Sequence, residues 1–191
     1  MKVAIAGYGV VGKTRHASIL KNTNYQVIAV SERNKTAHET IPDNITIFED
    51  YQSLIDQPDI DIIFISLPNQ FAADASKLAL KKGLHVFCEK PPARTLHELQ
   101  EVKDLSVLHP SQRLMYGFNH RFHLSVEKAK SIIEKNLLGK IINLRGVYGK
   151  SQMISFNQTD WRTKRKESGG GILLDQGIHM LDLIRYLSQG N

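Results

Sequence analysis

Residues 2–12 read Lys2-Val3-Ala4-Ile5-Ala6-Gly7-Tyr8-Gly9-Val10-Val11-Gly12, and the fold turns on how this stretch is understood. A short apolar, β-branched run is followed by G-x-G-x-x-G, and Val10–Leu20 beyond it can form a helix. The next apolar run, Gln26–Val30, leads to an acidic residue, Glu32, twenty positions after Gly12. Strand, glycine turn, helix and acid in that order suit a dinucleotide. Gly7 permits the tight turn, Gly9 lets the backbone approach a pyrophosphate, and Gly12 lets the helix pack close to the strand. Val10 and Val11 open the helix, whose free N–H groups and positive dipole end face the phosphates. Glu32 is placed to accept hydrogen bonds from ribose hydroxyls and to repel a 2′-phosphate, which favours NAD; Arg33 beside it can bind that phosphate, so NADP stays open. A glycine-rich turn without ligand and an S-adenosylmethionine site are the competing readings.

Outward from this stretch, strand-like and helix-like segments keep alternating. Ile45–Phe48 reads as a strand, Tyr51–Ile55 as a helix, Asp61–Leu67 as a strand covered on both faces, and Ala72–Lys82 as a helix. His85–Cys88, Leu96–Leu105 and Arg113–Phe118 continue as strand, helix and strand. Such alternation predicts an α/β fold, a Rossmann doubly wound parallel sheet with right-handed crossovers. Ligands of these sheets sit at the carboxyl ends of the strands, so Gly7–Gly12, Ser31–Arg33, Leu67–Asn69 and Glu89–Pro92 are expected to line one crevice.

After about residue 119 the rhythm changes. Ser125–Leu137 reads as an amphipathic helix, Lys140–Tyr148 as a strand, Gln158–Gly171 as a polar loop and Ile172–Leu187 as a helix. The expected division is 1–118 for the dinucleotide-binding domain and 119–191 for the start of an α+β second domain. One strand cannot make a sheet, so this second part is expected to pack on the first, to pair with another chain, or to lack its natural remainder.

Composition limits the class. Of 191 residues, 41% are hydrophobic and 23% charged, which is ordinary for a soluble globular protein. The net charge of +6 is spread along the chain with only one short basic concentration, Arg162, Lys164, Arg165 and Lys166, so no nucleic-acid partner is expected. Cys88 is the only cysteine, which excludes an intrachain disulfide and fits a reducing cytoplasm. Gly7, Tyr8 and Gly9 interrupt Met1–Val11 before a secretory or spanning segment is complete, so neither export nor a membrane is expected.

Two later stretches carry candidate chemistry. In His85-Val86-Phe87-Cys88-Glu89-Lys90-Pro91-Pro92, a strand ends in a charged pair stiffened by two prolines, which places Lys90 at the crevice where it can exchange a proton with a hydroxyl. Taken alone, the pair is also what an ordinary surface ion pair looks like. In Gly169-Gly170-Gly171-Ile172-Leu173-Leu174-Asp175-Gln176-Gly177-Ile178-His179, helical spacing puts Asp175, His179 and Asp182 on one face. An Asp–His pair that merely supports a helix turn would look the same.

GYGVVG at 7–12, SLPN at 66–69, CEKP at 88–91 and GGGILLDQGIHMLD at 169–182 together make the chain resemble the Gfo/Idh/MocA oxidoreductases along essentially its whole length. The resemblance implies Lys90 as catalytic lysine and Asp175 with His179 as a catalytic pair, all three also meeting the substrate. It implies Leu67, Pro68 and Asn69 as the loop beside the nicotinamide ribose, and Glu89 and Lys90 as further cofactor contacts. Asn119, Arg121, Trp161 and Arg162 fall where such proteins shape the substrate pocket. Two departures stand out: Ala72 occupies the place of a frequent histidine, and most of the family's C-terminal sheet, which covers the substrate and makes the oligomer, is missing.

The expected activity is reversible hydride transfer between a nicotinamide and a secondary alcohol of a sugar, nucleotide sugar or cyclic polyol, with His179 as base, Lys90 polarising the oxygen and Asp175 holding His179. The alternatives are a dinucleotide-binding protein without catalysis and an NAD-dependent glycosidase. A metal site is not expected, since His120, His123, His179 and Asp175 show no tight ligand motif.

Overall fold

Val3 and Ile5 point to one side of β1 (Lys2–Ala6) and Ala4 and Ala6 to the other, and all four are fully buried. A strand buried on both faces belongs in the middle of a layered sheet. The structure, a computed structural model, describes residues 1–149 and 161–188. It contains two units, Met1–Gly117 with Lys166–Gly169, and Phe118–Arg165 with Gly170–Asn191.

In the first unit, β1 is followed by α1 (Val10–Ile19), β2 (Gln26–Ser31), α2 (Lys35–His38), β3 (Thr46–Phe48) and α3 (Tyr51–Ile55). There follow β4 (Ile62–Ile65), α4 (Asn69–Lys81), β5 (His85–Cys88), α5 (Leu96–Leu108) and β6 (Leu114–Tyr116). The six strands are parallel in the order β3-β2-β1-β4-β5-β6, so the order reverses between β1 and β4. This is the doubly wound Rossmann sheet, and its switch point lies where the glycine turn leaves β1. One face packs Ala4, Ala6, Ile63 and Ile65 against Leu54, Ala75, Leu80 and Val102; the other packs Val3, Ile5 and Val30 against Ile19. Small β1 side chains let the helices of the first face approach closely.

Tyr8 lies inside the glycine motif but turns into the second core cluster, where its hydroxyl donates to Nδ1 of His16 on α1. Both rings are nearly inaccessible, at 4% and 5%. Burial pushes the His16 pKa down and the Tyr8 pKa up. A histidine with a depressed folded pKa contributes stability that is present above its unfolded pKa, about 6.5, and is lost as pH falls through the folded value. Tyr8→Phe leaves the ring nitrogen without its donor and should cost about 1–3 kcal/mol in urea denaturation at pH 7. As the pH falls from 7 towards 5, the wild type should lose stability that His16→Gln does not lose.

The second unit holds a 3₁₀ turn (Asn119–Phe122), α6 (Leu124–Glu134) and a further 3₁₀ turn (Trp161–Thr163). The four-residue α7 (Arg165–Ser168) follows, then a π-helical turn (Leu173–Gly177) and α8 (Ile178–Leu187). Three expectations need correction here. Lys140–Tyr148 forms no strand: a strand needs a neighbour to complete its ladder, and among the described residues none pairs with it. The loop expected over Gln158–Gly171 contains the Trp161–Thr163 and Arg165–Ser168 helical turns, while its first residues, 158–160, lie outside the described residues. The helix expected over Ile172–Leu187 begins as a π turn rather than an α-helix. Glycine explains the last case. The Leu173 side chain packs so closely on Gly177 that a Cβ there would meet its Cδ1 at 2.6 Å.

Candidate functional site

The cleft at the switch point is built by the strand ends. Gly7 and Gly9 after β1, Ser31, Glu32 and Arg33 after β2, and Ser66, Leu67 and Pro68 after β4 line one cavity of about 250 Å³. Three of the four expected loops thus meet; Glu89–Pro92 is not among its lining residues. Glu49, Asp50, Tyr51 and Phe71 also line it and were missed by sequence reasoning. Only the placement of β3 beside β2 and of α4 beyond Pro68 brings them there, although Asp50 does announce itself as a helix cap.

The glycine turn is tied to β2, since the N–H groups of Gly7 and Tyr8 both donate to the Ser31 carbonyl at 3.1 Å. Gly7 has a φ of +87°, and a Cβ on it would stand 2.6 Å from the Ser66 carbonyl oxygen, so glycine is required twice over. Side-chain oxygens cap α3 and α5, from Asp50 and Thr95. By contrast, α1 starts after Gly9 and α4 after Pro68, with no side chain capping either. Two helix N-termini therefore present free donors near the cleft, which is the arrangement an anion prefers. Val10 and Val11, on the first turn of α1, are exposed. The Ser66 hydroxyl is buried and finds no hydrogen-bond partner among the described residues. An unpartnered hydroxyl behind Gly7 and uncapped N–H groups beside it fit a phosphate-bearing, ribose-bearing cofactor.

Around the acidic selector, Glu32 Oε1 accepts the Asn34 N–H at 2.9 Å, and its carbonyl contacts Nε2 of His38 at 2.8 Å. The Arg33 guanidinium lies 5.4 Å over the Phe71 ring. Hydrogen bonds from the Ser53 backbone and hydroxyl hold the Asp50 carboxyl below its ordinary pKa. The cleft wall thus carries both an acid and a stacked cation.

Asn69 is buried, and its amide donates to the Ser168 carbonyl at 2.8 Å. Arg94 Nη1 donates to the Lys166 carbonyl at 2.6 Å, and Gly169 leaves no room for a Cβ against Arg94. The segment just before the glycine run is therefore held by α4 and by the loop before α5. Glu89 forms a partly buried ion pair with Arg15 of α1, with Nε to Oε1 at 2.5 Å, and Arg15 also lies 5.0 Å over the Phe87 ring. Gly117 sits against the Glu89 carboxylate, where a Cβ would meet Oε2 at 2.8 Å. Lys90 follows Glu89 directly and is half-buried, before a cis Lys90–Pro91 bond. Cys88 is fully buried, which pushes its thiol up to about 12 and makes it inert.

In the second unit, His179 is 5% exposed and stacks on His120, with ring centroids 4.1 Å apart and planes 14° from parallel. Tyr148 stacks beside both rings, and Phe118 meets His179 edge-on at 6.3 Å. Arg121 Nε donates to Asp182 Oδ2 at 2.8 Å and Nη2 pairs with Oδ1. This bond to Asp182 raises the Arg121 pKa. The guanidinium is thus committed to α8. Asn119 opens the first 3₁₀ turn; Trp161 and Arg162 stack on each other in the second at 4.6 Å. Asp175 accepts from Gln176 Nε2 at 2.9 Å on the π turn. The α-helical spacing that put it on one face with His179 and Asp182 holds only from Ile178 onward. Among the described residues no helix is long and apolar enough to cross a membrane.

Known proteins supply the family. Residues 1–118 match the model of the Gfo/Idh/MocA oxidoreductase family, NAD-binding Rossmann fold, and residues 126–191 match the Gfo/Idh/MocA C-terminal domain. A levoglucosan dehydrogenase of Pseudarthrobacter phenanthrenivorans is 36% identical over 143 residues, 72% of this chain and 35% of that protein. A D-glucoside 3-dehydrogenase of Escherichia coli (strain K12) is 30% identical over 193 residues, 98% of this chain and 54% of that protein. The structure of a scyllo-inositol dehydrogenase from Lactobacillus casei, with bound cofactor NAD(H) and scyllo-inositol, superposes with a TM-score of 0.85 at 26% identity. That match covers 99% of this chain and 56% of the other. The chain spans about half the length, or less, of the curated relatives it matches. With the glycine cleft, the parallel sheet and a family model matched over residues 1–118, the chain belongs to the Gfo/Idh/MocA oxidoreductases and carries their NAD-binding Rossmann domain.

Proposed function

We propose that this chain provides the cofactor domain, residues 1–118, and the opening of the substrate domain, 119–191, of an NAD(P)-dependent dehydrogenase. Its substrate would be a secondary alcohol on a sugar, nucleotide sugar or cyclic polyol. The observation that carries the reading is the cleft at the β1/β4 switch point, where glycine backbone, an uncapped α1 N-terminus and an acid from β2 converge. Relatives named for levoglucosan, D-glucosides and scyllo-inositol support a polyhydroxylated ring as substrate.

When bound, the nicotinamide supplies the hydride acceptor. Gly7 makes the turn, and Gly9 with the first turn of α1, Val10, Val11 and Gly12, receives the pyrophosphate through backbone N–H groups. Glu32 accepts from the ribose hydroxyls, while Arg33 on Phe71 offers a cation to a 2′-phosphate, so NAD is preferred and NADP tolerated. Leu67, Pro68, Asn69 and Glu89 border the nicotinamide end. His179 takes the hydroxyl proton and Lys90 polarises the oxygen, with Asp175 favouring the charged form of His179. Asn119, Arg121, Trp161 and Arg162 shape the substrate side. A homo-oligomer in the reducing cytoplasm belongs to the same proposal.

Titration with NADH and NADPH, followed by absorbance at 340 nm with NAD and a panel of pyranosides and inositols, tests the reading. NADH binding with substrate-dependent absorbance is the expected result. Binding without turnover leaves a dinucleotide-binding protein, and absence of binding to either coenzyme overturns the proposal.

A further inference from the structure

His179 has company that the hydride-transfer reading does not use. His120 lies face to face with it at 4.1 Å, His123 follows at 5.1 Å from His120, and Tyr148 stacks on His120 at 5.4 Å. His120 sits on the Asn119–Phe122 turn, and the next residue, Arg121, is bonded to Asp182, three positions beyond His179 on α8. That ion pair fixes the turn against the helix, and so fixes one imidazole over the other. Asp182 has a side chain only 8% exposed, which makes the anchor stiff.

We propose that His120 is a positioning residue for His179, holding the plane of its ring and keeping it uncharged near neutral pH so that it is ready to accept a proton. The inference rests on the reading of His179 as the base. Two neutral imidazoles stack without penalty, and one charged ring is tolerated by its neighbour. Two charged rings at this separation repel, in a place where water can screen little of the repulsion. His120 is the more exposed of the two, so it takes the first proton, and His179 must then charge against it.

Among the described residues, other ionisable groups adjoin the pair. His123, beyond His120, adds to the repulsion when charged. Tyr148 lends the stack an aromatic face. Asp182 is matched by Arg121, and Lys130 of α6 lies on the Tyr186 ring, 3.7 Å from its centroid. Asp175, on the preceding π turn, would on the proposed chemistry pull the other way and favour a charged His179. The balance between Asp175 and His120 sets where the base titrates. Coupled in this way, the two rings take up protons in separate steps that belong to the pair.

Nitrogen-15 NMR of the imidazole rings across pH 5 to 8.5, on the full chain, reads this directly. In the wild type the two steps should lie more than about one pH unit apart, with the His179 step the lower. His120→Phe keeps a flat ring in the stack and removes the titrating nitrogen; His120→Gln keeps polarity without the ring. In both, the His179 step should move upward, which a purely space-filling role for His120 would not cause. A folded variant whose His179 titrates as in the wild type overturns the proposal. So does a wild type whose two rings charge independently at one common pH, a result that needs no variant to fold. Because the rings report on themselves, the coupling can hold in a protein with no turnover, and then the hydride-transfer reading alone fails.

Discussion

Gly9→Ala should fold with the stability of the wild type and bind NADH on the order of 100-fold more weakly. The two halves of this expectation have different causes. At Gly9 the backbone is extended, with a φ of −72°, and a Cβ would have no protein atom within 4 Å. Nothing in the protein asks for glycine there. The residue nevertheless lines the cleft beside the free N-terminus of α1, where the backbone itself has to reach a phosphate, so an added methyl group stands where the ligand would lie. A displacement of about 1 Å in such a contact is enough for a change of this size. Gly12→Ala makes the contrast. Its Cβ would run into the Gly7 carbonyl oxygen and stand 3.4 Å from Ile5 Cγ2, so the turn must shift away from α1, and stability should fall together with binding. Isothermal titration with NADH and thermal melting, run on both variants, separate the two. Equal loss of stability in both would mean that Gly9 serves the fold, and undiminished NADH binding by Gly9→Ala would remove the glycine turn from the cofactor site.

Those residues were legible because their signal is local. A strand, a tight turn and a helix start are written in neighbouring positions, and β1, β2, β4 and β5 are near-continuous apolar runs, buried on both faces in β1 and on one face, with the other half-buried, in β4 and β5. What escaped depends on distance along the chain. Arg15 and Glu89 are 74 positions apart and meet only because β5 lies two strands from β1 in the finished sheet. Tyr51 and Phe71 reach the cleft wall, and each other at 6.0 Å, only once α3 and α4 are packed. Lys140–Tyr148 has the residue types of a strand, but strand formation is a property of pairs, and the described residues hold no second member. The π turn at Leu173–Gly177 is a local feature, yet the pattern that would show it, glycine at Gly169–Gly171 and again at Gly177, looks from the sequence like an ordinary weak helix start. The stacked pair of His120 and His179 joins residues from separate elements, which spacing along one helix cannot reveal.

Lys90→Met should lower turnover by ~10²–10⁴ while leaving NADH affinity nearly as it was. On the proposed chemistry, the ammonium group acts on the alcohol oxygen and touches neither the pyrophosphate nor the adenosine ribose. Lys90 is absent from the lining of the glycine cleft, consistent with a small effect on dinucleotide affinity. The backbone around it is held independently of its own side chain, since Glu89 is bonded to Arg15 and packed on Gly117. Methionine has nearly the same length and can follow the same path, so the substitution removes charge and protons with little change of shape. Arg15→Met supplies the complementary experiment. It leaves Lys90 intact but frees Glu89, whose carboxylate is then partly buried without its cation, and both stability and turnover should fall. Steady-state kinetics with the substrate found in the 340 nm assay, together with NADH titration and melting of both variants, distinguish chemistry from support. A Lys90→Met protein with wild-type turnover would take the lysine out of the mechanism and leave His179 as the one proton-handling group proposed for the alcohol.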